Sequence, residues 1–277
     1  MTVVGVLHPG AMGTALAAEL QTAGCQVRWA SDGRGPTTRQ RAAAAGLDDA
    51  GSLEALVAGS DVVLSVCPPG AAVEVAAAVG AAGFPGTYVD GNAVAPATAR
   101  HIARVVGPAR FVDGGIVGPP PHRPGTTRLH LSGDGAGEVA ALFAGTSVET
   151  RVHDSGPGAA SAVKVCFAAW TKGTSALLLA IRALAAAEGV EEGLLAEWAT
   201  SLPDLPARSD GAAATAAPKA WRFVGEMEES AAAFAAAGLP GGFSEGAAEV
   251  YARLDGCRDA DPPPTLDEVV SALLGRG

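Results

Sequence analysis

The sequence predicts an α/β chain in which a doubly wound N-terminal domain, residues 1–155, precedes an all-helical C-terminal domain, residues 156–277. Three observations predict it. Short apolar runs alternate with helix-period segments through the first half. A glycine-bearing turn stands where the first apolar run gives way to the first helix. After Gly156-Pro157-Gly158 every remaining ordered segment has helical character.

The elements follow in order. Thr2 to Leu7 is an apolar strand broken by His8-Pro9-Gly10, and Ala11 to Gly24 is a helix with Met12, Leu16 and Leu20 four apart. Gln26 to Ala30 is the second strand, Ser31 to Thr38 a polar turn, and Arg39 to Ala45 a second helix. This is the compass of one βαβ unit. Strands at Asp61 to Val66, Thr87 to Asp90 and Arg110 to Asp113 then alternate with helices at Ala71 to Ala82 and Ala97 to Val106. Arg128 to Ser132 and Val148 to Val152 are strands flanking a helix at Ala136 to Phe143. Uninterrupted apolar strands indicate a parallel sheet covered on both faces. Ala159 to Glu188 reads as one helix of about 30 residues without proline, well beyond the usual three or four turns. Helices at Glu191 to Ser201, Ala216 to Ala237, Phe243 to Leu254 and Leu266 to Leu274 follow, with Pro203 to Asp210 and Asp259 to Pro264 as loops.

Composition narrows the partners. A hydrophobic content of 48% supports a sizeable core, and its alanine richness favours closely packed helices. A net charge of −10 argues against nucleic acid or an anionic membrane as the main partner. No stretch reads as a membrane span, and a strand beginning at Thr2 leaves no room for a signal peptide, so a cytoplasmic location is expected. Cys25, Cys67, Cys166 and Cys257 are widely spaced with no CxxC or Cys/His ligand pattern, so neither a metal site nor a disulfide framework is expected.

The turn VVGVLHPGAMG carries chemistry. In a Rossmann turn the backbone approaches a pyrophosphate, whose charge meets the free N–H groups of the helix N-terminus. Gly10 allows the close approach and Gly13 the close packing of helix on sheet. Pro9, Gly10, Ala11 and Met12 are therefore the candidate pyrophosphate contacts. The first glycine of the usual GxGxxG is replaced by His8. Position after the first strand and before a βαβ continuation strengthens a motif that is weak alone; the competing reading is an ordinary βα turn.

Cofactor choice is read after the second strand, where an acidic residue suits NAD and arginine the 2′-phosphate of NADP. Asp32 falls late for the ribose position, whereas Ser31, Arg34 and Arg39 surround a plausible phosphate pocket. NADP(H) is favoured, NAD(H) stays open, and solvated charges are the alternative for both arginines.

HPGAMG after a strand, then SDVVLSVCPP, then VDGN, resembles the β-hydroxyacid dehydrogenase superfamily, which includes 6-phosphogluconate and 3-hydroxyisobutyrate dehydrogenases and has imine reductases as close relatives. The resemblance covers residues 1 to about 190. It implies that Cys67 and Pro68 pass beside the cofactor and that Asn92 lies near the nicotinamide; Cys67 also reads as a small residue buried at a strand end.

The same resemblance places Lys164, early in the long helix, beside the nicotinamide as the group that handles the substrate hydroxyl proton. A lysine partly stripped of water can donate to a carbonyl that receives hydride. The other reading is a lysine on the exposed stripe of an amphipathic helix. Lys172, eight residues on, either binds a substrate anion or forms a salt bridge.

Two departures stand out. The asparagine usual one turn after the lysine is Ala168, and the usual Ser-Gly-Gly substrate loop is replaced by Asp113 to Pro121, with Val117 and Gly118 as its candidate substrate contacts. That loop is closer to imine reductases, which lack the lysine. His122 follows the proline run and is a candidate to face substrate, whereas His101, His130 and His153 read as surface or strand residues. The leading expectation is an NADPH-dependent carbonyl/hydroxyl oxidoreductase acting on a small molecule, with imine reduction second and a cofactor-binding protein without chemistry third. The long helix and the apolar helices after it suggest a homodimer, as the family forms.

Overall fold

The computed structural model describes residues 1–276. The first strand, β1 (Val3–Leu7), leads into α1 (Ala11–Thr22), and β2 (Gln26–Trp29) into α2 (Pro36–Ala44), which starts on a proline where no N–H is needed. A two-residue strand β3 (Asp48–Asp49) and the short helix α3 (Leu53–Ala58), capped by Ser52, fill a segment where the sequence predicts nothing. Both are too short to show a period. Then come β4 (Val62–Ser65), α4 (Ala72–Ala81), β5 (Thr87–Asp90), α5 (Pro96–Val105), β6 (Arg110–Val117), β7 (Thr127–Ser132), α6 (Ala136–Ala141) and β8 (Val148–His153).

The strands form one sheet in the order β3-β2-β1-β4-β5-β6-β7-β8. All neighbours are parallel except β6 and β7, so the expected all-parallel sheet is corrected at that pair. Residues Gly114 to Val117 extend β6 beyond its predicted end because β7 turns back to pair with them. Side chains alternate between two cores. Leu64, Val89 and Val112 join α1 residues Leu16 and Leu20 on one face. Val63, Tyr88 and Phe111 join Val79, Ile102 and Leu56 on the other. Burial on both faces is why these strands read as continuous apolar runs.

The 30-residue helix α7 (Ala159–Glu188) begins in this first compact unit and continues into the second. The units divide after Val165, ten residues beyond the expected boundary, because the first turns of α7 belong with the sheet. The second unit adds α8 (Glu191–Ser201), α9 (Leu205–Ala216), α10 (Ala220–Ala236), α11 (Gly242–Ala252) and α12 (Leu266–Leu273). The predicted loop at Pro203 to Asp210 is corrected: Pro206 sits in the first turn of α9, where proline starts a helix rather than breaking one. Ala212, Ala213 and Ala216 of α9 pack with Ala176 and Leu179 of α7 and with Met227, Tyr251 and Val269 of the later helices. Small side chains let these helices approach closely. Among the described residues no helix is long and apolar enough to cross a membrane.

On the edge pair β7–β8, the rings of His130 and His153 lie 5.2 Å apart and nearly parallel, with Nδ1 of one 2.9 Å from Nε2 of the other. Burial first, then the neighbouring charges of His153, Arg151 and Arg128, push the His130 pKa below 6.5. The unfolded chain therefore binds a proton here before the folded chain does, and stability is lost as pH falls below about 6.5. Replacing His130 with glutamine is expected to flatten part of that slope in urea unfolding followed from about pH 7 to about pH 5. An unchanged slope would show that the pair carries no proton linkage.

Candidate active site

Parallel register lines up the carboxyl ends of the strands. Val6 lies opposite Trp29, Leu7 opposite Ser65, Ser65 opposite Asp90, and Asp90 opposite Asp113. The residues that follow these pairs therefore form one row along the sheet edge: Ser31, His8, Cys67, Asn92 and Gly115. The strand order reverses between β1 and β4, which is where an open α/β sheet leaves a crevice for ligands.

At the crevice, His8 adopts φ 62°, the left-handed conformation that the first fingerprint glycine ordinarily supplies. The backbone thus keeps the turn although the residue is not glycine, and the Gly10 N–H donates to the His8 carbonyl at 2.6 Å. A Cβ on Gly13 would stand 3.0 Å from that same carbonyl, so any larger residue would press on the turn where α1 packs against it. At Gly10 the nearest such atom is 3.9 Å away, and α1 has no side-chain cap. The helix N-terminus faces an open cradle of the kind that accepts a phosphate. Buried polar atoms support the fit: His8 Nδ1 and Arg34 Nε have no hydrogen-bond partner within the protein. Ala11 is exposed, and Met12 packs partly against the core.

The two candidate arginines separate. Arg39 donates to the carbonyls of Arg34 (3.0 Å) and Ser31 (2.9 Å), so it shapes the turn. Arg34 is half-buried and its charge is felt at both His8 and Cys67. Burial, with the Arg34 charge second, holds the His8 pKa down at about 4, and burial pushes the Cys67 thiol up to about 11. Both are neutral near pH 7. Arg41 reaches the Pro9 carbonyl from α2 at 3.4 Å.

Asn92 is buried and its side chain ties two strand ends together. Its carboxamide oxygen accepts from the Cys67 N–H at 2.6 Å, and its Nδ2 donates to Ser65 Oγ at 3.3 Å and to Asp90. Its place is thus behind the Cys67-Pro68 turn, which it holds; Pro68 is exposed at the tip.

The start of α7 is fixed by a group that the sequence places at a strand end, at the head of the substrate loop. Asp113, fully buried on β6, accepts from the N–H groups of Gly158 (2.9 Å) and Ser161 (3.0 Å) and from the hydroxyls of Ser161 (2.5 Å) and Ser132 (2.9 Å). Ser132 Oγ in turn accepts from the Ala160 N–H at 3.2 Å, and the Gly156 carbonyl from the Ala159 N–H at 3.3 Å. Every donor of the first helical turn is thereby satisfied. Lys164 follows one turn after Ala160. A Cβ on Gly115 would lie 2.5 Å from the Ala160 carbonyl and 3.1 Å from Lys164 Cβ, so β6 admits α7 only because that residue is glycine. Lys164 is half-buried beside the row of strand ends. Two sequence signals pointed this way: an aspartate inside an apolar strand, and a long helix entered through Gly-Pro-Gly with no capping side chain of its own.

Other candidates go elsewhere. Val117 is buried, paired with Arg128 of β7, while Gly118 is exposed at the start of the proline loop. His122 is exposed and lies within 2.7 Å of the Pro120 carbonyl through Nδ1. In the second unit Lys172 forms an ion pair with Glu226 and lies 4.6 Å from the ring centre of Phe223, which is the salt-bridge reading of that residue.

Residues 3–127 match the family described as the NAD binding domain of 6-phosphogluconate dehydrogenase, and residues 185–254 match a domain of unknown function, DUF1932. Residues 3–127 thus form an NAD-binding domain of the 6-phosphogluconate dehydrogenase type. That match lies within the first compact unit. An uncharacterised 28.5 kDa protein of Methanothermus fervidus is 30% identical over 170 residues, 61% of this chain and 66% of that protein. Among solved structures, a conserved protein of unknown function, MTH1747, described as structurally similar to 3-hydroxyacid dehydrogenases, is 28% identical with TM-score 0.69, covering 92% of this chain and 97% of its own. The fold is shared with 3-hydroxyisobutyrate dehydrogenase of Mycobacterium tuberculosis (21% identity, TM-score 0.69, 99% of each chain). It is also shared with a reductive aminase of Aspergillus terreus solved with NADPH (22% identity, TM-score 0.56, 98% and 99%).

Substituting Asp113 with alanine leaves two backbone N–H groups and two hydroxyls without their acceptor. The expected cost is about 3 kcal/mol, at about 1–3 kcal/mol for each buried group left unsatisfied and with partial relaxation. Urea unfolding measures it, and a loss below about 1 kcal/mol would mean that water or another acceptor takes over.

Proposed function

We propose that the chain is an NADPH-dependent oxidoreductase that interconverts a carbonyl and a hydroxyl group on a small molecule, with Lys164 as the acid in reduction and the base in oxidation. The observation that carries this is the seating of Lys164. Its helix is pinned to β6 by Asp113 and Ser132, and its Cβ stands over Gly115 at the end of the strand row.

The nicotinamide, when bound, supplies or accepts the hydride. The protein's own contribution is placement and the proton. The α1 N-terminus and the Gly10 cradle hold the pyrophosphate; Arg34 and Ser31 stand where the adenosine ribose lies in such folds. Asn92 and Cys67 shape the floor between them. In reduction, the Lys164 ammonium donates to the substrate oxygen as that oxygen gains charge; in oxidation the free amine removes the hydroxyl proton. Pinning the helix keeps Nζ near one place, so the proton transfer needs little reorganisation. Arg34 is the feature favouring the phosphorylated dinucleotide, since no carboxylate stands in the matching position after β2 and Asp32 is exposed.

Imine reduction is the second reading, favoured by the segment from Asp113 to Pro121, whose Asp-Gly-x-Ile followed by prolines stands in place of the Ser-Gly-Gly of the hydroxyacid dehydrogenases. Four cysteines that are all free thiols suit a reducing compartment such as the cytoplasm. A second copy of the chain is the proposed partner. On α7, Phe167, Trp170, Leu177 and Leu184 are 44–66% exposed and spaced by three and seven residues, one stripe along the helix.

Replacing Lys164 with alanine is expected to lower turnover about 10²–10⁴-fold while leaving NADPH affinity within a few-fold. Assays would pair NADPH with β-keto acids and with cyclic imines. Turnover surviving in the variant within a few-fold would reject the lysine, and turnover of imines alone would select the second reading. For the dimer, Leu177→Glu with Leu184→Glu is expected to shift sedimentation toward the monomer; a wild-type chain that is monomeric at all concentrations contradicts it.

A further inference from the structure

We propose that His8 and Arg34 form a clamp for a phosphate monoester on the adenosine ribose, in which His8 takes up a proton from solvent as the phosphate enters. This rests on the NADPH reading above and deepens it: the chain would tell a 2′-phosphorylated dinucleotide from an unphosphorylated one by one linked proton as well as by charge.

The geometry comes first. His8 ends β1 and Arg34 lies in the turn after β2, the strand that pairs with β1 through Val6 and Trp29. One polar atom of each, His8 Nδ1 and Arg34 Nε, is buried with no partner within the protein. A histidine held at φ 62° is strained where glycine would not be, and such strain points to a use for the side chain. Both groups donate hydrogen bonds when charged and repel one another, so they do not satisfy each other. A dianion placed between them reverses that repulsion.

The surrounding charges agree. Arg34 faces His8 from the β2 turn, and Arg41 of α2 is directed at the Pro9 carbonyl. Cys67 at the end of β4 is a neutral thiol under the influence of Arg34 and Asp90, and Asp32 in the β2 turn is exposed. With no anion present, burial and Arg34 keep the imidazole neutral down to about pH 4. A phosphate carrying two negative charges offsets both causes, raises the imidazole pKa and draws the proton from water.

The test is calorimetric titration of the intact protein with NADPH and with NADH, each in two buffers of different ionisation enthalpy at about pH 6 and about pH 8. The comparison includes His8→Asn and His8→Gly, two residues that tolerate the left-handed backbone and carry no titrating ring. At about pH 6 wild type is expected to take up close to one more proton per NADPH than either variant, beyond any difference seen with NADH, and fewer at about pH 8. Its preference for NADPH over NADH should fall by about tenfold more from pH 6 to pH 8 than in the variants. An equal proton count in wild type and variants, with NADPH bound, overturns the clamp alone. NADH binding without NADPH binding overturns the cofactor reading and the clamp with it.

Discussion

A buried carboxylate decides where the long helix α7 begins on the sheet. Asp113 sits in the middle of the sheet and takes four hydrogen bonds, two of them from the backbone at the start of α7. A carboxylate placed in a core is costly unless it is hydrogen-bonded, and a helix N-terminus is costly unless its N–H groups find acceptors. Each solves the other's problem, and the helix dipole adds to the attraction. The consequence is a helix start that cannot slide along β6. Glycine at 115 lets α7 come close to β6, and Lys164 takes a fixed position over the strand ends.

Two helix N-termini of the first unit, those of α1 and α7, are treated in opposite ways. That of α7 is closed by the protein's own anion. That of α1 has an extended, side-chain-free Gly10 in front of it and is left to an anion from outside. The same electrostatic feature thus serves structure at one strand end and binding at another. Which role it takes depends on whether an aspartate or a glycine stands nearby. Between them Asn92 locks the Cys67 turn to β5, so the floor of the crevice is set before any ligand arrives.

Much of this was legible in the sequence. The βα alternation, the turn at Pro9 to Met12 and the long helix with Lys164 were read at or near their places, because long periodic segments and glycine turns are local signals. Three kinds of feature were not. Short elements such as β3 and α3 carry no period. Pro203 to Asp210 reads as a loop, yet Pro206 stands in the first turn of α9, where proline starts a helix. Side-chain allegiance was also hidden: Arg39 and Arg34 look alike in the chain, yet one is consumed by the turn's carbonyls and the other keeps a buried nitrogen without a partner.

The sequence by itself determined the type of most main elements, the change to an all-helical second half and the nature of the first turn. These follow from periodicity and from residues a few positions apart. Tertiary structure alone decided that Asp113 is a helix cap rather than a substrate-loop residue, that Lys172 belongs to Glu226, that β7 runs antiparallel, and that the first unit extends to Val165. Each of those outcomes joins groups far apart in the chain. Their partners are chosen by which buried polar groups must be satisfied once the sheet and helices have packed, and no local pattern records that choice.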